Sequence, residues 1–208
     1  MKVLNLYAGI GGNRKLWEDV EVTAVEINPE IAQVYDDQFP EDELIIGDAH
    51  QYLLDHYKEF DFIWSSPPCP THSKARFWGH KNTNPVYPDM KLYQEIILLK
   101  THFDGKWIVE NVKPYYTPLI LPDVEIGRHL FWGNFRINNP TFFKEADIKH
   151  GKREEWQELH GISIDGYKFS TRTDKILRNC VHPETGLHIL NAARNIITKS
   201  NTEQTTLF

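Results

Sequence analysis

The sequence predicts an α/β fold, a mostly parallel sheet with helices on both faces, and three observations carry that expectation. Short apolar, β-branched runs alternate with helix-compatible stretches over residues 3–109. Several of the runs end in glycine or an acid, as strands do at the ligand edge of an open sheet. The 208 residues, 40% of them hydrophobic, suffice for one sizeable core and are too few for two full domains.

Val3-Leu4-Asn5-Leu6-Tyr7 reads as a buried first strand, closed by the turn Gly9-Ile10-Gly11-Gly12. Residues 13–20 are helix-compatible. Val22-Thr23-Ala24-Val25 makes a second strand, and residues 29–37 suit a helix with Pro29 in its first turn. Leu44-Ile45-Ile46 and residues 60–64 are further strands, separated by a helical stretch at 50–58. A helix over 90–99 leads to the strand Lys106-Trp107-Ile108-Val109. After Pro114 the alternation stops. Pro118, Pro122 and Pro140 punctuate short apolar pieces such as 127–135, residues 141–169 are polar and mixed, and 187–197 return to helical periodicity.

Composition excludes several classes. No apolar run has membrane-spanning length and the first residues are too polar for a signal peptide, so a cytoplasmic protein is expected. Two cysteines without a C-x-x-C pair, and scattered histidines, predict neither a disulfide framework nor a metal site. The net charge of −6 does not advertise nucleic-acid binding, but the distribution does more. From Pro70 to Pro88 there is no acid, while Lys74, Arg76, His80 and Lys81 surround Phe77 and Trp78. Lys168, Arg172, Lys175 and Arg178 form a second basic stretch. Solvated loops would explain either stretch as well as a nucleic-acid footprint does.

Three constellations carry chemistry. The first is Tyr7-Ala8-Gly9-Ile10-Gly11-Gly12, where glycines after a strand let backbone approach a ligand. Arg14 stands where a dinucleotide fingerprint needs its third glycine, which disfavours a nicotinamide cofactor. Glu26 can accept both hydroxyls of a ribose and Asp48 can accept from an adenine amine, so a nucleoside-containing cofactor satisfies all three strand ends. Taken singly, each acid reads equally as a helix cap.

The second is Trp64-Ser65-Ser66-Pro67-Pro68-Cys69-Pro70, where prolines stiffen the backbone around one thiol. The neighbouring basic loop is expected to favour the thiolate of Cys69, the nucleophilic form. The third is Val109-Glu110-Asn111-Val112, which brings a carboxyl group to the same edge. A Cys and a Glu converging on a nucleoside cofactor suggest conjugate addition to a pyrimidine.

These residues together resemble the DNA cytosine-5 methyltransferase family, particularly its compact phage and bacterial versions, in a setting of restriction and modification. The resemblance implies a Rossmann-like sheet that binds S-adenosylmethionine, with DNA as the partner. It assigns the cofactor to Tyr7, Ala8, Gly9, Ile10, Gly11, Gly12, Glu26, Ile27, Asp48, Ala49, Pro68, Leu92, Asn191 and Ala192. Catalysis falls to Pro68, Cys69, Glu110, Asn111 and Arg128, with Ser73, Lys74 and Arg76 against the DNA backbone. In that mechanism Cys69 adds to carbon 6 of a flipped cytosine, Glu110 holds ring nitrogen 3 and the exocyclic amine, and Arg128 supports the carboxylate.

The implied organisation is a catalytic domain over 1–140, a much reduced target-recognition lobe over 141–180, a returning helix over 181–198 and a tail over 199–208. Gln204-Thr205-Thr206-Leu207-Phe208 resembles the Q-x-x-L-F peptide that docks to sliding clamps, through Gln204, Leu207 and Phe208. Two other readings stand beside this one. An amino-methyltransferase would use Ser66-Pro67-Pro68 but needs an aromatic where Cys69 lies, and a non-catalytic cofactor-binding protein would explain the reduced lobe.

Overall fold

The computed structural model describes residues 1–77, 84–140 and 151–195. A seven-stranded sheet runs in the order β3-β2-β1-β4-β5-β7-β6. β1 (Lys2–Leu6), β2 (Glu21–Glu26), β3 (Glu43–Ile46), β4 (Phe62–Ser65) and β5 (Lys106–Val112) are parallel. β7 (His129–Gly133) lies antiparallel to β5, and β6 (Val124–Ile126) antiparallel to β7. The chain builds outward from β1 in one direction and restarts at β4 on its other side. The crevice between the carboxyl ends of β1 and β4 is therefore the switch point where an open sheet receives ligands.

Central strands covered on both faces need continuous apolar runs, and Val3, Leu4, Leu6, Phe62, Ile63 and Trp64 are fully buried. One face carries α2 (Ala49–His56) and α3 (Lys91–His102), packing Leu53, Leu92, Ile96 and Leu99 on Leu4, Leu6 and Ile63. The other carries α1 (Pro29–Gln38) and α6 (Pro183–Ala193), with Trp17, Ile189 and Leu190 on Val3, Phe62 and Trp64. The start signals work as the sequence suggests. Asn28 caps α1 by accepting from Glu30 N–H at 2.9 Å, and Pro29 and Pro183 occupy first-turn positions.

Residues 13–20 differ from expectation, since no helix forms there. Two successive turns close instead, Arg14 N–H to Gly11 O at 3.1 Å and Trp17 N–H to Arg14 O at 2.9 Å. Tertiary packing overrides propensity. The Arg14 guanidinium is held by both Asp42 oxygens at 2.8 and 2.9 Å and by Trp17 O. α6 also presses so closely that a Cβ on Gly186 would lie 2.0 Å from Asn13 O.

Within 151–180, α4 (Arg153–His160) and α5 (Thr173–Arg178) share an apolar cluster of Trp156, Ile162, Ile164, Ile176 and Leu177 with Ile10 and Val34. These helices thus rest on the glycine loop and on α1. Trp78, His80 and Lys81 of the basic loop, residues 141–150 and the clamp-like tail lie outside the described residues. Among the described residues no helix is long and apolar enough to cross a membrane, and no group of three His, Cys, Asp or Glu side chains could hold a metal.

Candidate active site

The switch point opens into a cavity of about 260 Å³. Its walls are the glycine loop after β1, Glu26 and Ile27 after β2, residues 66–70 after β4, Glu110, Asn111 and Val112 at the end of β5, His129 on β7, and residues Ile176 and 179–181. Tyr7, Gly9 and Gly11 all take positive φ (56°, 57° and 83°), which folds the backbone back on itself at the crevice. Two of the loop's glycines are required for different reasons. A Cβ on Gly11 would lie 2.2 Å from the Phe39 ring, whereas one on Gly9 would project into open space. Gly9 therefore leaves a vacant cradle beside the Glu26 carboxylate, whose Oε2 accepts from Gly9 N–H at 3.0 Å and Oε1 from Asn28 N–H at 2.9 Å. Burial pushes that carboxyl up against the pull of the amides of Asn28, Gly9 and Ile27. An acceptor-rich acid, a bare backbone cradle and the apolar Ile10 and Ile27 fit the nucleoside and amino-acid parts of S-adenosylmethionine.

Beneath this loop lies a buried polar hub. Glu95 of α3 is fully buried and accepts from Tyr7 OH at 2.6 Å and from Ser65 Oγ, with His50 Nδ1 at 2.8 Å. It ties the ends of β1 and β4 to the start of α2, and desolvation together with Glu95 pushes the Tyr7 hydroxyl well above its ordinary range.

Cys69 is half-buried in the proline-stiffened loop. Its carbonyl accepts from His72 and Ser73 N–H, both at 2.9 Å, and Asn111 Nδ2 donates to Pro67 O at 2.9 Å. Asn111 thus fixes the thiol loop through its backbone. The thiolate expectation is corrected. Burial pushes the Cys69 thiol up, the Glu110 carboxylate adds to this, and Arg128 and Lys175 pull back without cancelling it. Lys74 and Arg76, which motivated the expectation, are not among the groups that chiefly set the thiol's state. Arg76 instead donates to Pro70 O at 3.3 Å and Asn84 O at 3.2 Å, and Ser73 Oγ accepts from Ala75 N–H.

Glu110 is almost fully buried and is hydrogen-bonded with His129 Nδ1. Burial alone would push its carboxyl up, but His129, the Ser66 hydroxyl and Arg128 outweigh it and hold the carboxyl below the usual range. The Arg128 guanidinium donates to the backbone carbonyls of Arg178 and Cys180 and acts on Glu110 and Cys69 through its charge. The direct contact belongs to His129 because β7 pairs with β5 in the register Val112↔His129 and Glu110↔Phe131, which sets the two side chains on one face as diagonal neighbours.

Five expected cofactor residues do not line this cavity. The Asp48 carboxylate caps α2 through His50 N–H at 2.9 Å, pairs with Lys91 at 3.5 Å and lies outside the cavity wall. Ala49 and Leu92 are buried in the core with Leu6 and Val25. Asn191 and Ala192 are carried away from the cavity by the direction of α6. Its start lies against Asn13, and Arg194, just past its end, donates to Glu18 O and Asp19 O beside the amino end of β2. The cavity takes Asn179, Cys180 and Val181 in their place. A Cβ on Gly12 would lie 2.6 Å from Val181 O, so this segment seats directly on the glycine loop. The signal available in the sequence was the short Asn-Cys-Val run ahead of the helix-starting His182-Pro183. In the second basic stretch Arg172 and Arg178 both pair with Asp174, while Lys175 is the residue whose charge acts on Cys69.

Four relations with known proteins bear on this site. A model of the C-5 cytosine-specific DNA methylase family matches residues 1–118. A tRNA (cytosine(38)-C(5))-methyltransferase of Spodoptera frugiperda is 37% identical over 75 residues, 33% of this chain and 23% of that protein. A solved mutant of Spodoptera frugiperda DNMT2 is 32% identical with a TM-score of 0.38, covering 54% of this chain and 35% of the other. The chain therefore spans about a quarter to a third of the length of these relatives. The Entamoeba histolytica methyltransferase EhMeth, at 11% identity and TM-score 0.55 over 96% of this chain and 99% of its own, shares the fold. Because the family match spans 118 of the 208 residues and includes Cys69 and Glu110, the chain belongs to the C-5 cytosine-specific DNA methylase family, whose methyl donor is S-adenosylmethionine.

Proposed function

We propose that the chain methylates carbon 5 of cytosine in DNA, through a covalent adduct of Cys69 to carbon 6 of a base turned out of its stack. The observation that carries this reading is the shared cavity, in which Cys69 and Glu110 face the Gly9 cradle and Glu26. The glycine loop, Glu26, Ile27, Pro68 and the 179–181 segment hold the donor. When bound, it supplies an electrophilic methyl group on a sulfonium.

The residues divide the work as follows. The Cys69 thiol gives its proton to solvent as its sulfur bonds to carbon 6, which places an electron pair at carbon 5. Glu110 accepts from the exocyclic amine and, on taking up a proton from solvent, donates a hydrogen bond to nitrogen 3 as negative charge develops in the ring. Asn111 keeps the Pro67 carbonyl, and with it the thiol, in register. Arg128 and Lys175 supply positive charge near the sulfur. After methylation water takes the carbon 5 proton and the carbon 6–sulfur bond breaks, returning the Cys69 thiolate and the aromatic ring. Ser73, Lys74 and Arg76 are the proposed backbone contacts.

RNA is the second reading, favoured by the relative named as a tRNA cytosine methyltransferase. Incubation with labelled S-adenosylmethionine and matched DNA and RNA, followed by nucleoside mass spectrometry, tests both. The expected product is 5-methylcytosine in DNA; label in RNA alone selects the second reading, and label at an amino group overturns both. The tail is proposed to tether the enzyme to a sliding clamp, and deleting Leu207 and Phe208 should abolish pull-down with a clamp; unchanged retention would overturn the tether.

A further inference from the structure

The loop that leaves Cys69 builds an exposed aromatic ridge that neither the core nor the cavity uses. Lys74–Phe77 form one 3-10 turn, and Phe77 at its end is 53% exposed. Its ring meets Tyr115, itself 39% exposed, at 5.3 Å between centroids and 84° between planes. Perpendicular rings cannot cover one another. Tyr115 also meets Tyr116 at 5.1 Å and 84°, so Phe77 is the more open of the two rings.

The ridge is held firmly and tied to the thiol. Tyr115 N–H donates to His72 O at 3.0 Å, Ser73 bridges Pro114, and Tyr116 OH meets His72 Nδ1 at 2.5 Å. His72 and Ser73 in turn hold the Cys69 carbonyl, and Arg76 holds that of Pro70 at the cavity wall. Positive charge borders the rings, because Lys74 and Arg76 precede Phe77 and no acid occurs between Pro70 and Pro88.

Open ring faces beside cations suit unpaired bases, which offer a free face at every step, whereas a duplex offers one only at its ends. We propose that Phe77 and Tyr115 form a stacking platform for unpaired nucleotides flanking the target cytosine, so that the substrate is a single-stranded or looped stretch of nucleic acid. This rests on the reading of the cavity as a cytosine methyltransferase site and adds the strand state to it. A protein partner would need only the apolar bulk of the ridge, and a duplex only the neighbouring charge.

The test is a fluorescence-anisotropy titration of the full chain, without methyl donor and at one fixed salt concentration. The probes are a labelled cytosine-containing DNA single strand, the RNA of the same sequence, and the DNA duplex. Phe77→Ala and Tyr115→Ala should each weaken single-strand binding by about tenfold and leave duplex binding unchanged. Phe77→Trp should preserve affinity, and Phe77→Leu should lose it as Ala does. Both aromatic side chains are partly exposed, so the variants should fold, and unchanged circular dichroism checks this. Whichever single strand binds more tightly identifies the sugar, and either ranking supports the platform. Tighter binding to the duplex, unchanged affinity in both Ala variants, or full affinity in Phe77→Leu would overturn it. A fluorocytosine adduct scored separately keeps the two readings apart. An adduct without ridge dependence removes the platform alone, and ridge-dependent binding without an adduct removes the methyl-transfer reading alone.

Discussion

Two cysteines line the same cavity, and the difference between their surroundings shows how one thiol becomes chemistry and the other wall. Cys180 is buried, donates its thiol to Ile176 O at 3.4 Å, and is pushed up to about 12 by burial. Cys69 is also pushed up by burial, but it is half-buried and lies within the fields of Glu110, Arg128 and Lys175. A permanently lowered pKa is therefore not what separates them. Access to the cavity and fixed neighbours are, with a backbone held by Asn111, His72 and Ser73.

That contrast can be broken or sharpened by experiment. Cys69→Ala should remove methyl transfer altogether in a single-turnover assay, because the remaining thiol, Cys180, is buried and turned onto Ile176 O. Glu110→Gln keeps the shape but loses the negative charge and the ability to take up and donate a proton, and should slow the same step roughly 10²- to 10³-fold while cofactor affinity, read by calorimetry, stays the same. The rate of adduct formation should rise with pH from neutrality, about tenfold per unit, since only a small thiolate fraction exists below the raised Cys69 value. A flat profile would mean that binding of the base, rather than ionisation, sets the rate.

His129→Ala should cost about 2 kcal/mol in urea unfolding at neutral pH by leaving a buried carboxylate without its partner. The sign of the pH dependence follows from the lowered Glu110 carboxyl. Its contribution is present above the usual carboxylate value and is lost as pH falls through the lowered one, so wild type and variant should converge in acid. Smallest of all, Cys180→Ala should cost about 1 kcal/mol of stability, as removal of one buried atom does, and leave methyl transfer nearly intact. In native protein, iodoacetamide should label Cys69 ahead of Cys180.

What could be read in the sequence follows the range of the interactions involved. The strands, the glycine loop, Glu26, Pro68-Cys69 and Glu110-Asn111 each sit at a strand end, so a local apolar run followed by a turn locates them. His129 was not legible beside Arg128, because its contact with Glu110 depends on the register of an antiparallel pair nineteen residues apart. Asn179, Cys180 and Val181 were missed for a similar reason. Only the packing of Gly186 on Asn13 reveals which end of α6 meets the glycine loop. The same contact, with Arg14 locked onto Asp42, replaces a helix over 13–20 by turns. Asp48 is a strand-end acid that caps its own helix, a local role its position already allowed.

The most direct measurement is a denaturing gel of the full chain with fluorocytosine-containing nucleic acid and S-adenosylmethionine, run for wild type, Cys69→Ala and Cys180→Ala. Fluorine cannot leave carbon 5 as a proton does, so the carbon 6–sulfur bond should persist. A denaturant-stable adduct in wild type and Cys180→Ala, absent in Cys69→Ala, is the expected result. An adduct that survives Cys69→Ala, or none in wild type with the cofactor bound, would contradict the assignment of Cys69 as the nucleophile.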